Sequence, residues 1–125
     1  MRNIIANVWI VFIAILHAIP GADVQKITIS ELLLIDKLAH IIIFMIGVYL
    51  YAIAGKPQQK PQFLRNISVL FIIYGLLLEV LQSFIFVSRS ADFLDWLADI
   101  IGVFLGIWIY KKIPLNVSTN SFKKD

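Results

Sequence analysis

Four apolar runs, separated by short polar stretches, dominate the chain. The first runs from about Ile4 to Ile19 and stops at Pro20-Gly21. The second runs from about Leu38 to Ala54, the third from about Ile67 to Val87, and the fourth from about Phe93 to Tyr110. A helix that crosses a bilayer needs about 20 predominantly apolar residues, with a range of about 17–25. The third and fourth runs fit that length, and the second fits if Asp36 and Lys37 open its helix at the interface. The first is short. Arg2, an apolar run and small residues near Ala18–Ala22 also resemble a secretory leader, although no clear A-x-A cleavage site follows.

Between the runs, residues 55–66 read as a Pro/Gln/Lys loop without helical periodicity. Residues 113–125 read as a polar cytoplasmic tail. In the stretch 22–35, Thr28 or Ser30 would cap a short helix through Leu32 to Ile35, lying along the outer interface. The expected architecture is all-α: an integral membrane four-helix bundle with a short extracytoplasmic helix between the first two spans. Residues 1–112 form its transmembrane domain.

Charge turns this pattern into an orientation. Arg2, Lys56, Lys60, Arg65, Lys111, Lys112, Lys123 and Lys124 fall on one side of such a topology, leaving Lys26, Lys37 and Arg89 on the other. Loops rich in Lys and Arg stay in the cytoplasm, so both termini and the 55–66 loop are expected there, with the protein in the bacterial inner membrane. Composition agrees: 60% of the residues are hydrophobic and 15% charged, against about a quarter charged in a soluble domain. The net charge of +3 flanks apolar segments and forms no stripe, so nucleic acid is not an expected partner. The absence of cysteine excludes thiolate metal sites and thiol nucleophiles.

The acids carry the chemical information. Asp23, Glu31, Asp36, Glu79, Asp92, Asp95 and Asp99 all fall on the outer half of this topology, and only Asp125 does not. Asp36 and His40 are i,i+4 neighbours, with Lys37 three residues before His40. Glu79, Gln82 and Ser83 share a face. Asp92, Asp95, Asp99, Gly102 and Gly106 step by three, four, three and four along one side of a helix. Gly102 and Gly106 form a G-x-x-x-G pair that lets a neighbouring backbone approach. At ~1.5 Å per residue, Asp99 and Glu79 lie about 10 Å below the outer interface. Ionisable groups at that depth cost at least about 2.5–3.5 kcal/mol each unless they face the protein or a wet cavity. A polar pocket, open outward and bounded by the second, third and fourth spans, is the expected result.

With these residues in order, the sequence resembles the VanZ-like family of small bacterial membrane proteins. The matching residues are Asp36-Lys37-Leu38-Ala39-His40, Glu79-Val80-Leu81-Gln82, Arg89, Asp92, Asp95, Leu97-Ala98-Asp99 and Gly102 with Gly106. They span residues 36–110, nearly all of the membrane core. One departure stands out: the family usually has asparagine where this chain has Asp99, so the extra carboxylate alters the pocket's charge or needs a shared proton. The family is named for a member linked to glycopeptide (teicoplanin) resistance. The resemblance therefore implies a cell-envelope role, and it supplies no reaction.

The residues themselves leave several readings open. Five acids (Asp36, Glu79, Asp92, Asp95 and Asp99) face two fixed cations, Lys37 and Arg89, so protons are retained there or a cation binds. His40 with carboxylates suits zinc, but a hydrogen-bonded network that sets helix register explains the same residues, and no metal site is assigned. Arg89 suits a phosphate or carboxylate of a lipid-linked component, because its planar fork meets two oxygens at once. Otherwise it pairs with Asp92. His40 with Asp36 or Glu79 would serve general acid–base chemistry. His17 reads as an interface residue. Trp96, Tyr49, Tyr51, Trp108 and Tyr110 read as interfacial belts. No phosphate-binding glycine loop or catalytic triad is recognisable, and no cofactor is expected.

The expected function is a multi-pass membrane protein that binds, with or without chemical modification, a lipid-linked or cell-envelope component. The binding residues would be Asp36, Lys37, His40, Glu79, Gln82, Arg89, Asp92, Asp95 and Asp99. The alternative is a small structural or assembly subunit that docks to a membrane-protein partner through its glycine face.

Overall fold

The computed structural model describes residues 2–18, 29–55, 60–85 and 92–113. Four α-helices account for nearly all of them: α1 (Arg2–His17), α2 (Ile29–Ala54), α3 (Lys60–Ile85) and α4 (Phe93–Lys112). Three stretches, Leu34–Ala54, Pro61–Ile85 and Phe93–Lys112, are long and apolar enough to cross a membrane. Helix α1 has 16 residues, about 24 Å at 1.5 Å per residue, and on its own falls short of a ~30 Å hydrocarbon core.

Two boundaries differ from the sequence expectation. Residues 60–66 are the first two turns of α3 instead of loop. Pro61 sits in the first turn, where a missing N–H costs nothing because that donor has no helical partner. The polar residues there bond along the helix: Gln62 Nε2 donates to Asn66 Oδ1 at 3.0 Å and Arg65 Nη2 to Gln62 Oε1 at 2.8 Å. The short helix expected before the second span is not a separate element among the described residues. Ser30 and Leu32–Ile35 belong to an unbroken α2. Polar residues at both places masked a continuous helix. Residues 22–28 and the tail from 114 onward lie outside the described residues.

Helix α2 touches the other three helices, most extensively α4. The reason lies in α4's glycines. A Cβ placed on Gly102 would collide with the backbone oxygen of Ile41, and one on Gly106 with the Val48 side chain and the Met45 carbonyl. Two backbones approach this closely only where one side chain is missing. Around and beyond that seam the core is apolar, with Ile13, Phe44, Val48, Phe71 and Val103 buried. Leu70, Phe84, Phe104 and Ile4 point outward and are largely exposed, which suits hydrocarbon and not water.

Aromatic polar atoms tie neighbouring helices together. Trp9 Nε1 donates to Ile43 O at 2.9 Å, Tyr74 Oη to Ile10 O at 2.7 Å and Trp96 Nε1 to Ile72 O at 3.0 Å. Tyr51 donates to Asn7 of α1. In an apolar surrounding each such donor must find a protein acceptor. Tyr51 and Trp96, read from the sequence as belt residues, thus join helix to helix.

Candidate functional site

The polar cluster forms at one end of the helices, each contributing one face. Asp92 precedes helix α4, and its side chain caps the helix by accepting the Leu94 N–H at 2.8 Å. An N-cap carboxylate satisfies an orphan amide and favours the positive end of the helix dipole. One and two turns further, Asp95 and Asp99 point into the protein on the face that continues into Gly102 and Gly106. Helix α2 presents Asp36, Lys37 and His40, α3 presents Glu79 and Gln82, and α1 ends at His17.

Lys37 bridges two acids of α4. Its Nζ donates to Asp92 Oδ2 at 3.0 Å and to Asp95 Oδ1 at 2.6 Å. Deeper, His40 Nδ1 lies 2.9 Å from Asp99 Oδ1. Glu79 Oε2 accepts the backbone N–H of Asp92 at 3.3 Å, and Gln82 Nε2 donates to the His17 carbonyl at 2.8 Å. Burial deepens in the same order. The side chain of Asp92 is 38% exposed, that of Lys37 23%, and that of Asp99 0%. Glu79, Gln82, His40 and Asp95 are all buried. Asp36 is half-buried, and a carboxylate oxygen of it lies within 4.8 Å of donor atoms of His40 and Asp95.

Among the acids of the cluster, Asp92 lies outside the spanning segments. The Leu94 N–H holds its carboxyl below the usual carboxylate range, and the Lys37 ammonium adds to this against the opposing effect of burial. The more exposed edge of the cluster therefore carries an ionised carboxylate paired with a lysine. Lys37 is committed to two acids, so an incoming anion would have to compete with Asp92 and Asp95 for it.

Eight of the residues expected from sequence thus come together: Asp36, Lys37, His40, Glu79, Gln82, Asp92, Asp95 and Asp99. Arg89 lies outside the described residues. The hydrogen-bond partner of His40 is Asp99 from α4, not the i,i+4 residue Asp36 or Glu79. Two residues of the cluster escaped sequence reasoning. His17, expected at the interface, is buried, with its ring edge-on to that of His40 at a centroid distance of 4.8 Å. The signal was its spacing: Ala6, Ile13 and His17 recur at seven and four residues, one helical face, and all are buried. Gly75 is the other. A Cβ there would lie 2.7 Å from Asp99 Oδ2 and 3.2 Å from Phe44, so its missing side chain makes room for the carboxylate.

Away from the cluster, a cavity of about 740 Å³ opens between α3 and α4 at their far ends, among Leu64, Arg65, Ile72, Phe104 and Lys111. It brings the basic residues of α3 and α4 to the end opposite the acids. The polar cluster itself is packed among side chains, and it can chemically hold a cation, store a proton between His40 and Asp99, or offer Glu79 and Asp99 oxygens to a ligand.

Comparison with known proteins speaks to the whole of this core. No curated protein and no solved structure matches the chain. The VanZ/LLP1 family model matches residues 2–115, which covers all four helices and every member of the cluster. The ordered acids, the histidine of α2 and the glycine seam thus sit in a chain that belongs to the VanZ/LLP1 family.

Proposed function

We infer that this VanZ-like protein crosses the bacterial inner membrane as a four-helix bundle with both termini in the cytoplasm. At its outer end it binds, with or without chemical modification, a lipid-linked or other component of the cell envelope. One observation carries this reading: ionisable and amide side chains from α2, α3 and α4 converge at one end of an otherwise apolar molecule. Maintaining ionisable groups at membrane depth is costly, so such a concentration marks function by default. Orientation is supported by the basic residues Arg65 and Lys111, which share the opposite end. Asp99 and Glu79 would form the floor, His40 and Asp95 the walls, and Lys37 and Asp92 the entrance. Arg89, three residues before Asp92 in sequence, would meet a phosphate or carboxylate of that component, since Lys37 is engaged by Asp92 and Asp95.

The alternative of an accessory subunit docking through its glycines draws no support from the fold. Gly102 and Gly106 are covered by Ile41, Met45 and Val48 of the same chain. A solute path is likewise unsupported, since Phe44, Val48, Phe71 and Val103 fill the core beyond the cluster.

Native mass spectrometry of the detergent-purified protein tests the binding reading. Wild type should retain an envelope lipid that Glu79→Ala and Arg89→Ala lose while remaining folded. A wild type that carries no such lipid, or a stoichiometric protein partner in its place, would overturn it.

A further inference from the structure

We propose that His17, His40, Glu79 and Asp99 together form a buried site for one divalent transition-metal ion of the zinc class. One donor atom from each of these four residues lies within 4.8 Å of all the others. The four come from four different helices, and all are buried. This set does not follow from any local sequence motif; the fold alone assembles it.

Donor chemistry points to the ion. Two imidazoles with two carboxylates suit zinc and its first-row neighbours, whereas calcium and magnesium favour all-oxygen sets. The hydrogen bonds orient the rings for it. His17 Nδ1 lies 2.8 Å from the Ile13 carbonyl. A carbonyl only accepts, so Nδ1 carries the proton and the neutral ring bears its lone pair on Nε2. His40 Nδ1 lies 2.9 Å from Asp99 Oδ1, so His40 would bind through Nδ1, with the ion taking the place of the proton these two atoms share. Two imidazoles on one tetrahedral ion have ring centroids on the order of 5 Å apart, and those of His17 and His40 are 4.8 Å apart.

A second observation is independent of the spacing. Glu79 Oε1 and Asp99 Oδ2 are buried and accept no hydrogen bond among the described residues. Buried polar atoms are almost always satisfied, and an exception calls for a partner. A divalent cation would satisfy both at once. It would also neutralise the two carboxylates, leaving a site of zero net charge in surroundings where uncompensated charge is strongly disfavoured. Tetrahedral ligands at ~2.0–2.1 Å lie about 3.3 Å from one another, so binding draws the side chains inward by roughly an ångström. The metal site stands on this geometry and not on the envelope ligand.

The test uses the full chain in detergent, stripped with a chelator and then equilibrated with zinc alone, without envelope lipid. Elemental analysis after gel filtration should find one zinc per chain. Equilibrium titration should show a drop in affinity of at least about 10–100-fold in both His17→Gln and Glu79→Gln. Gln62→Ala, exposed at the far end, should bind as wild type does. Should the variants fail to fold, X-ray absorption of the zinc-loaded wild type decides, with two nitrogen and two oxygen ligands expected in the first shell. Substoichiometric zinc in the wild type, a first shell without two histidines, or affinity unchanged in folded His17→Gln would each overturn the proposal. Because lipid is absent throughout, failure here leaves the envelope-binding reading standing, and the reverse also holds.

Discussion

The two halves of α4 meet the same neighbour, α2, by opposite means. The N-terminal half offers carboxylates: Asp92 and Asp95 grip Lys37, and Asp99 meets His40. The C-terminal half offers an absence of side chain, and Gly102 and Gly106 let the α2 backbone come close. One contact is electrostatic, directional and dependent on protonation and bound ions. The other is steric and indifferent to them. A single helix pair can therefore keep its register through the glycine seam while its polar end remains free to exchange partners. This division suits a membrane protein, in which the hydrophobic effect adds little between helices and close packing must hold them.

Filling the seam should have the largest effect. Gly102→Leu drives a side chain into the Ile41 carbonyl and costs on the order of 3 kcal/mol or more, since overpacking against backbone has no easy relief. Thermal unfolding in detergent and resistance to proteolysis read the loss, and a variant as stable as wild type would mean that the seam does not hold the pair. Lys37→Met comes next. It leaves the buried Asp95 without its cation, and breaking a buried pair costs about 3–5 kcal/mol. Partial exposure of Lys37 lowers the expected loss to about 2 kcal/mol. Restoring neutrality with Lys37→Met/Asp95→Asn should recover most of it, and no recovery would remove the charge argument.

Gly75→Ala sharpens the polar half further. The added methyl reaches Asp99 Oδ2 and should displace that carboxylate from His40 at a cost of about 1–2 kcal/mol, visible as a changed His40 imidazole signal by NMR. Asp99→Asn, which keeps an acceptor oxygen for His40, should disturb stability less and zinc affinity more.

The smallest effect belongs to Asp92. Its folded carboxyl titrates below the ordinary range, so its contribution is full above the unfolded pKa and fades as pH falls through the folded one. The window lies at and below about pH 4. Asp92→Asn should flatten the acid limb of the stability curve by less than about 1 kcal/mol, because solvent reaches the 38% exposed side chain and screens its partners. An acid limb identical to that of wild type would assign the loss to other carboxylates.

Legibility followed the range of the interactions. The stripe Asp92–Asp95–Asp99–Gly102–Gly106 could be read directly, because helical spacing alone puts these residues on one face. Lys60–Asn66 was misread as loop because Pro61 and four polar residues conceal a helix whose polar side chains bond along its own turn. His17 was misread because it closes the first run just before Pro20-Gly21, where a polar residue suits an interface as well as a buried contact. Gly75 carried no signal, since the need for space arises from Asp99 on another helix.

The sequence by itself determined the helices, the segregation of acids from basic residues and the faces that carry chemistry. These follow from a period of 3.6 residues and from the cost of placing charge in hydrocarbon. Tertiary structure alone decided which partner each group takes. Lys37 holds Asp92 and Asp95, His40 turns to Asp99 in preference to its own helical neighbour Asp36, and His17 joins from α1. Partners of that kind are set by how helices rotate and slide against one another, and the glycine seam fixes both across 60 residues of chain.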